Sequence, residues 1–432
     1  MKKKRRNRIL ICSLLILIIL LALYFVNILK NKSVLEETTK QKQNLENLEV
    51  EEKNLHEEGI KVEAEPTEEL EEKEDTRIPI SVQEISASRV SKQEIEISWS
   101  DDMGDLAEQY IVKRRNLSKE NGSWEIVKSI NLDEGSKEET IAMIDELETS
   151  NPQQYEYRVD ILPIDDTKYK GIEGKSVIAS NIMICIDPGH YAGVNAVTGE
   201  ESYGYAEGDF TIQIALELKR ILKEEYGIDS VLTRDTDSIT INGYTNAKLD
   251  SKNLTLRGEY TAEKDCDLFL SIHTNANEVN ANGFPTCMQP IGINKPVLLI
   301  NMVGMNSQEV ISVGNAIGTN LAKINYELGI SEIEEFITVE ADNIEEWTKS
   351  KNDQLNVPGT IYCRIAENED YYGVLRGASN VNKPGIIIEH GYHTVAEVRR
   401  EAMQGDLKTL WAEADAYGIA YGYGFVTGLE MK

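Results

Sequence analysis

The sequence predicts an α/β domain, a mainly parallel sheet flanked by helices on both faces, carried behind an N-terminal transmembrane helix and an all-β sandwich module. Three observations predict it. From residue 181 onward, apolar runs of strand length alternate with helical stripes, the pattern of a parallel sheet covered on both faces. The stretch before it is filled with short period-two runs, as half-buried antiparallel strands are. An uncharged apolar run opens the chain behind a basic flank.

The chain begins with Lys2, Lys3, Lys4, Arg5, Arg6 and Arg8, followed by an apolar run from Ile9 to Leu29. At ~1.5 Å per residue the run spans about 30 Å, the depth of a bilayer's hydrocarbon core. It exceeds the apolar region of a cleaved signal peptide, and Tyr24-Phe25-Val26-Asn27 offers no small-x-small site. Residues 1–32 therefore read as an uncleaved, single-pass signal anchor in the cell membrane. The basic flank stays cytoplasmic and the rest lies outside. A signal peptide with an unusual cleavage point is the alternative reading. Residues 33–77 read as an acidic flexible linker: Ser33–Thr76 holds sixteen Asp or Glu against five Lys. Such a segment buries too little apolar surface to offset its ordering entropy, and its charge stretches it.

Over 78–178 the runs Ile95-Glu96-Ile97-Ser98-Trp99, Tyr110–Arg114, Trp124–Val127 and Tyr155–Ile161 alternate apolar and polar residues. Their spacing fits one β-sandwich. Over 181–428, Ile182–Asp187, Ser230–Arg234, Asp267–Thr274 and Gly385–His390 read as strands. Asp209–Tyr226, Ser307–Leu328 and Leu407–Gly424 read as helices. The net charge of −29 excludes a nucleic-acid partner, which needs a basic footprint. The five cysteines, Cys12, Cys185, Cys266, Cys287 and Cys363, show no metal-type spacing. For the last four, disulfides and free buried thiols are both open.

Chemistry concentrates at strand ends. Cys185-Ile186-Asp187-Pro188-Gly189-His190 reads as a buried strand that stops at a tight turn and presents a histidine. Asp267–His273 closes the same way, and Glu389 ends a third strand. In an open parallel sheet such positions line the functional crevice. With Glu207 opening a helix between them, His190 and His273 form a donor set suited to a metal hydrolase.

Ile186-Asp187-Pro188-Gly189-His190, Glu207, Ser271-Ile272-His273-Thr274-Asn275-Ala276-Asn277 and Ile388-Glu389-His390-Gly391-Tyr392 resemble, in order, the blocks of the zinc-dependent N-acetylmuramoyl-L-alanine amidases (amidase type 3). Val231-Leu232-Thr233-Arg234, Arg257 beside Leu256, and Val374-Leu375-Arg376 look like further positions of that pattern. The resemblance covers roughly Asn181 to Gly428. It implies Zn2+ held by His190, Glu207 and His273, Glu389 as catalytic acid and base, and Arg376 as a weaker candidate for substrate or oxyanion contact. The substrate it implies is peptidoglycan, cut between N-acetylmuramic acid and L-alanine of the stem peptide. Trp99, Tyr110, Leu147 and the Tyr155/Tyr157/Val159 run resemble the core of a fibronectin type III module.

The chain departs from the family pattern in the loop Tyr191–Gly204, in Thr274 after His273, and in His390 after Glu389. Neither His390 nor His393 is required by that pattern. The stretch Ile330–Asp370 is longer than usual and strongly acidic. It reads as a lid or regulatory element, with one of its carboxylates expected to occlude the metal until a protein activator releases it. Two other functions fit this pattern: a catalytically silent or regulatory peptidoglycan-binding protein on the same fold, and a different zinc peptidase acting on stem peptides.

Overall fold

The protein is described by a computed structural model over residues 75–119, 121–132, 139–277 and 289–431. The expected signal anchor and the acidic linker up to residue 74 lie outside the described residues, as do Cys12 and Cys287. Among the described residues no helix is long and apolar enough to cross a membrane.

Two antiparallel sheets come first. One has three strands, Ile85–Ser91, Glu94–Ser100 and Thr140–Glu146. The other has four, with Glu125–Asn131, Ala107–Asn116, Gln154–Pro163 and Ser176–Ser180 in that spatial order. Ile95, Ile97 and Trp99 alternate inward on the first, Tyr110, Val112, Tyr157 and Val159 on the second, and all seven join one core. Period-two burial is the physical cause of this pairing, because a one-residue slip would turn each set outward.

The α/β part is built on a sheet whose strands are β1 (Met183–Pro188), β2 (Asp229–Leu232), β3 (Leu268–Asn275), β4 (Val297–Ile300), β5 (Phe336–Ile337), β6 (Glu345–Glu346), β7 (Gly359–Cys363) and β8 (Gly385–Tyr392). Their order is β2-β1-β3-β8-β4-β7-β5, with β6 also paired to β7. Every pairing is parallel except β4 with β8. The sheet is thus mixed, with one antiparallel junction in the middle.

Helices α1 (Glu207–Tyr226), α2 (Thr255–Glu263), α3 (Gln308–Glu327), α4 (Gly373–Asn380) and α5 (Leu407–Gly422) cover it. α5 packs against α1 and α3, while α2 and α4 pack on each other. The α1 helix stops at Gly227, whose φ of 63° needs a residue without Cβ strain. The α3 helix starts at Ser307, whose hydroxyl accepts from the Val310 amide.

From Thr76 on, the chain packs as one unit, and the contact between its two parts is polar and buried. The Arg89 side chain, 1% exposed, donates from Nε to the Asn181 carbonyl at 3.0 Å and from Nη2 to Asp265 Oδ2 at 2.9 Å. Its backbone amide donates to Asp229 Oδ2. Lys92 meets Asp267 at 2.6 Å, and Lys223 donates to the Ala87 carbonyl. Asp229 and Asp267 stand at the amino ends of β2 and β3. The sandwich therefore seals the amino-terminal edge of the sheet and leaves the carboxyl-terminal edge free for a site.

Candidate metal centre and active site

β1 ends in Asp187-Pro188, and the next two residues make the turn that carries His190. His190 sits at φ 63°, a left-handed conformation that a non-glycine residue holds only when its surroundings enforce it. Two buried arginines do so. Arg257 Nη2 donates to the His190 carbonyl at 2.8 Å and Nη1 to that of Pro188 at 3.2 Å. Arg234 Nη2 donates to the carbonyls of Gly189 and Gly208 at 3.2 and 2.6 Å. Asp187, beneath the turn, accepts from Thr233 Oγ1 (2.5 Å), Ser271 Oγ (2.7 Å) and Arg257 Nη1 (2.9 Å). Burial pushes the Asp187 carboxyl up, but Arg257 and the two hydroxyls outweigh it and hold the group below its ordinary value.

Glu207 is the first residue of α1, where the helix dipole favours a negative charge. Its Oε1 lies 3.0 Å from His273 Nδ1 and accepts from the Thr274 amide at 3.0 Å. Its Oε2 lies 3.2 Å from His190 Nε2. The imidazole rings cross at 86° with centroids 4.9 Å apart. One ligand atom from each of the three residues lies within 4.8 Å of the others. Burial alone would raise the Glu207 pKa; the two imidazoles overcome it and keep the carboxylate ionised. Two imidazoles and an ionised carboxylate are the donors zinc takes, so the residues present fit that ion.

Glu389 is paired in register with His273 across β3 and β8. Its Oε2 is buried without a hydrogen-bond partner among the described residues. Burial first, and the Glu207 charge second, raise its pKa well above the ordinary carboxylate range. These four residues share a cavity of about 350 Å³, whose wall also includes Asp250, Tyr372 and His393.

The structure brings His190, Glu207, His273 and Glu389 together and leaves Arg376 out. The Arg376 guanidinium donates to the carbonyls of Asp370 and Tyr371 and lies 3.7 Å from Glu369. It is not part of the cavity wall, although Gly373 and Val374 are, so the structure does not bring Arg376 into the cavity with the other expected site residues. The acidic insert also departs from expectation. None of its carboxylates lines the cavity. It supplies β5, β6 and β7, and it buries Phe336 and Trp347 in the main core. Cys185, Cys266 and Cys363 are free and buried.

Two residues at the site had not been read from the sequence. Asn195 Nδ2 donates to Glu207 Oε2 at 2.6 Å and lies 3.4 Å from His190 Nε2. Its φ of 54° is what folds the loop back, and a left-handed Asn in a Gly-rich loop is the signal that could have marked it. Asp250 joins Arg257 at 3.0 Å and so braces the His190 turn from the cavity side.

A family model described as N-acetylmuramoyl-L-alanine amidase matches residues 184–421. The sporulation-specific N-acetylmuramoyl-L-alanine amidase of Bacillus subtilis (strain 168) is 34% identical over 111 residues, covering 25% of this chain and 36% of that protein. The N-acetylmuramoyl-L-alanine amidase CwlM of Bacillus licheniformis is 34% identical over 115 residues, 27% of this chain and 39% of its own. The chain thus spans little more than a third of the length of these relatives. Among solved structures, N-acetylmuramoyl-L-alanine amidase AmiC2 of Nostoc punctiforme aligns with 56% of this chain and 97% of its own, at 22% identity and a TM-score of 0.36. With more than half its length matched, from the first strand of the sheet to the last helix, the chain belongs to the N-acetylmuramoyl-L-alanine amidase family.

Proposed function

We propose that this chain is a zinc-dependent peptidoglycan hydrolase that cleaves the amide between N-acetylmuramic acid and L-alanine of the stem peptide. One observation carries the reading: His190, Glu207 and His273 converge at distances a single cation spans, and Glu389 is buried in the same cavity. Family membership supports the choice of bond. His190, Glu207 and His273 would hold the zinc, which when bound supplies Lewis acidity to water and to the scissile carbonyl.

The chain's own residues do the rest. Glu389, with its pKa raised by burial, takes the proton released by the attacking water and returns it to the leaving nitrogen. Asp187, Arg234 and Arg257 fix the backbone from which His190 projects. In this reading the apolar run Ile9–Leu29 anchors the protein in the cell membrane with the catalytic part outside, facing peptidoglycan. The sandwich is a fibronectin type III-like module that fixes the catalytic sheet from its amino-terminal edge.

The test is digestion of intact peptidoglycan by the zinc-loaded protein, with released fragments mapped by mass spectrometry. Stem peptides with new free L-alanine amino ends, lost in Glu389→Gln while bound zinc is retained, support the amidase. Cuts within the stem establish a different peptidase. No release from a zinc-loaded, folded protein establishes a silent relative.

A further inference from the structure

His393 follows β8 directly, is 1% exposed and forms part of the cavity wall with His190, Glu207 and Glu389. Its ring is fixed on three sides. Nδ1 lies 3.0 Å from the Thr274 carbonyl oxygen and 3.0 Å from Thr274 Oγ1. The face stacks on Tyr205 at 22° with centroids 5.8 Å apart. The Tyr205 hydroxyl in turn sits 2.6 Å from Thr274 Oγ1. The His393 backbone is held as well, with its amide donating to the Asn275 carbonyl and its own carbonyl accepting from Arg399 Nη1.

This geometry determines the tautomer. A carbonyl oxygen offers only lone pairs, so the Nδ1 that faces it carries the hydrogen. In the neutral ring Nε2 is then a bare acceptor. Burial pushes the ring below its ordinary pKa, against the opposing charge of Glu207, which keeps it neutral. Nε2 is buried and has no hydrogen-bond partner among the described residues. It is not one of the three clustered donors, so the proposed metal does not need it. A buried acceptor left without a donor is costly, and in a cavity wall the donor is supplied by water or by the substrate that displaces it.

The donor that this reaction brings is an N–H. Glu389 has to reach the leaving nitrogen, so the scissile amide lies inside the wall that His393 completes. We infer that His393 Nε2 accepts a hydrogen bond from the N–H of the scissile amide, which makes His393 a substrate-orienting residue that selects amides. The inference rests on the amidase reading above. It gives a physical role to a histidine that the family pattern does not require.

The test compares the full-length, zinc-loaded wild type with His393→Phe and His393→Gln. The substrates are a muramoyl-L-alanyl peptide and its ester analogue, in which oxygen replaces the scissile N–H. Phe keeps a ring against Tyr205 and removes the acceptor; Gln returns an oxygen near the place of Nε2. His393→Phe should lower kcat/KM on the amide roughly ten-fold and leave the ester within about two-fold, with zinc content and melting temperature unchanged. His393→Gln should recover much of the amide activity. If the Phe variant does not fold, His393→Leu takes its place. Equal loss on amide and ester, or no loss on the amide, overturns the inference while the amidase reading stands. A wild type that cleaves neither substrate overturns both.

Discussion

Gly189 lies directly against the ring of His273. A Cβ built at residue 189 would sit 2.4 Å from His273 Cε1, 2.6 Å from Nδ1 and 2.6 Å from the Ile272 carbonyl oxygen. The Gly189 amide also donates to that carbonyl at 2.9 Å. The glycine of the Asp187-Pro188-Gly189-His190 turn is therefore a matter of space: two histidines from adjacent strands can face one point only if nothing stands between their backbones.

Gly189→Ala should displace His273 and so weaken zinc binding. Overpacking of this kind costs about 1–3 kcal/mol of stability, and hydrolysis of peptidoglycan should fall by about 100-fold or more, since ligand geometry rather than fold is disturbed. Gly193→Ala is the control. Gly193 has φ 77° and open space around it, so it should lose about 1 kcal/mol to backbone strain and keep its zinc. Zinc titration and chemical denaturation of both variants would check this; equal zinc affinity in the two would refute it.

The Asp187–Arg257 pair is fully buried, so removing one partner strands the other. Arg257→Ala should cost about 3–5 kcal/mol, read as a shift of the urea midpoint. The pair also sets an acid limit. The folded pKa of Asp187 is lowered, so its contribution is complete above the unfolded value of about 3.9 and is lost as pH falls through the folded value. The stability gap between wild type and Asp187→Asn, measured on metal-free protein, should therefore be full at neutral pH and close only on acidification below about pH 4. A gap that is constant down to the acid transition would show that Asp187 is not the titrating group.

What could be read from the sequence followed local periodicity. The strands bearing His190, His273 and Glu389 were legible because runs of three to five consecutive apolar residues (Ile182–Ile186, Leu268–Leu270 and Ile386–Ile388) stop at a polar one, as a buried strand does where it emerges. Direction and rotation were not legible. β4, Val297-Leu298-Leu299-Ile300, is buried throughout and reads the same forwards or backwards, so nothing local marked its antiparallel place beside β8. Arg376 shows the limit for rotation: its guanidinium is taken up by the carbonyls of Asp370 and Tyr371, partners outside its own helix that helical periodicity does not announce. Asn195 lies in a loop without any period, and only its residue type, an Asn among glycines, marks the backbone reversal on which its role depends.

Arg89 gives the joint between sandwich and α/β sheet its strongest hold. Arg89→Ala should leave the Asn181 carbonyl without its guanidinium partner and remove the donor to Asp265, while Asp267 keeps Lys92 and the Met183 amide. A loss of about 1–3 kcal/mol is expected, together with a looser joint. Small-angle scattering should then show a larger radius of gyration, while cleavage of a small soluble muropeptide stays within about two-fold, because the joint is at the sheet edge opposite the site. An unchanged scattering profile with normal stability would mean that the neighbouring contacts of Lys92 and Lys223 suffice.

Asn195 holds the outer oxygen of Glu207, and the consequences for the metal are specific. Its 2.6 Å bond to Glu207 Oε2 fixes the carboxylate in the plane where Oε1 and Oε2 meet the two imidazoles. Without the amide, Glu207 keeps the Thr274 amide on Oε1 and becomes free to rotate about that contact. Asn195→Ala should therefore weaken zinc binding by about 10–100-fold, the usual effect of removing a hydrogen-bond partner of a ligand. At saturating zinc its turnover should return to within a few-fold of wild type, because Glu389 is untouched. His190→Ala, which removes a ligand outright, should not recover at any zinc concentration. Competition with a chromophoric chelator measures the affinities, and wild-type zinc binding in Asn195→Ala would show that the Thr274 amide alone is enough to set Glu207.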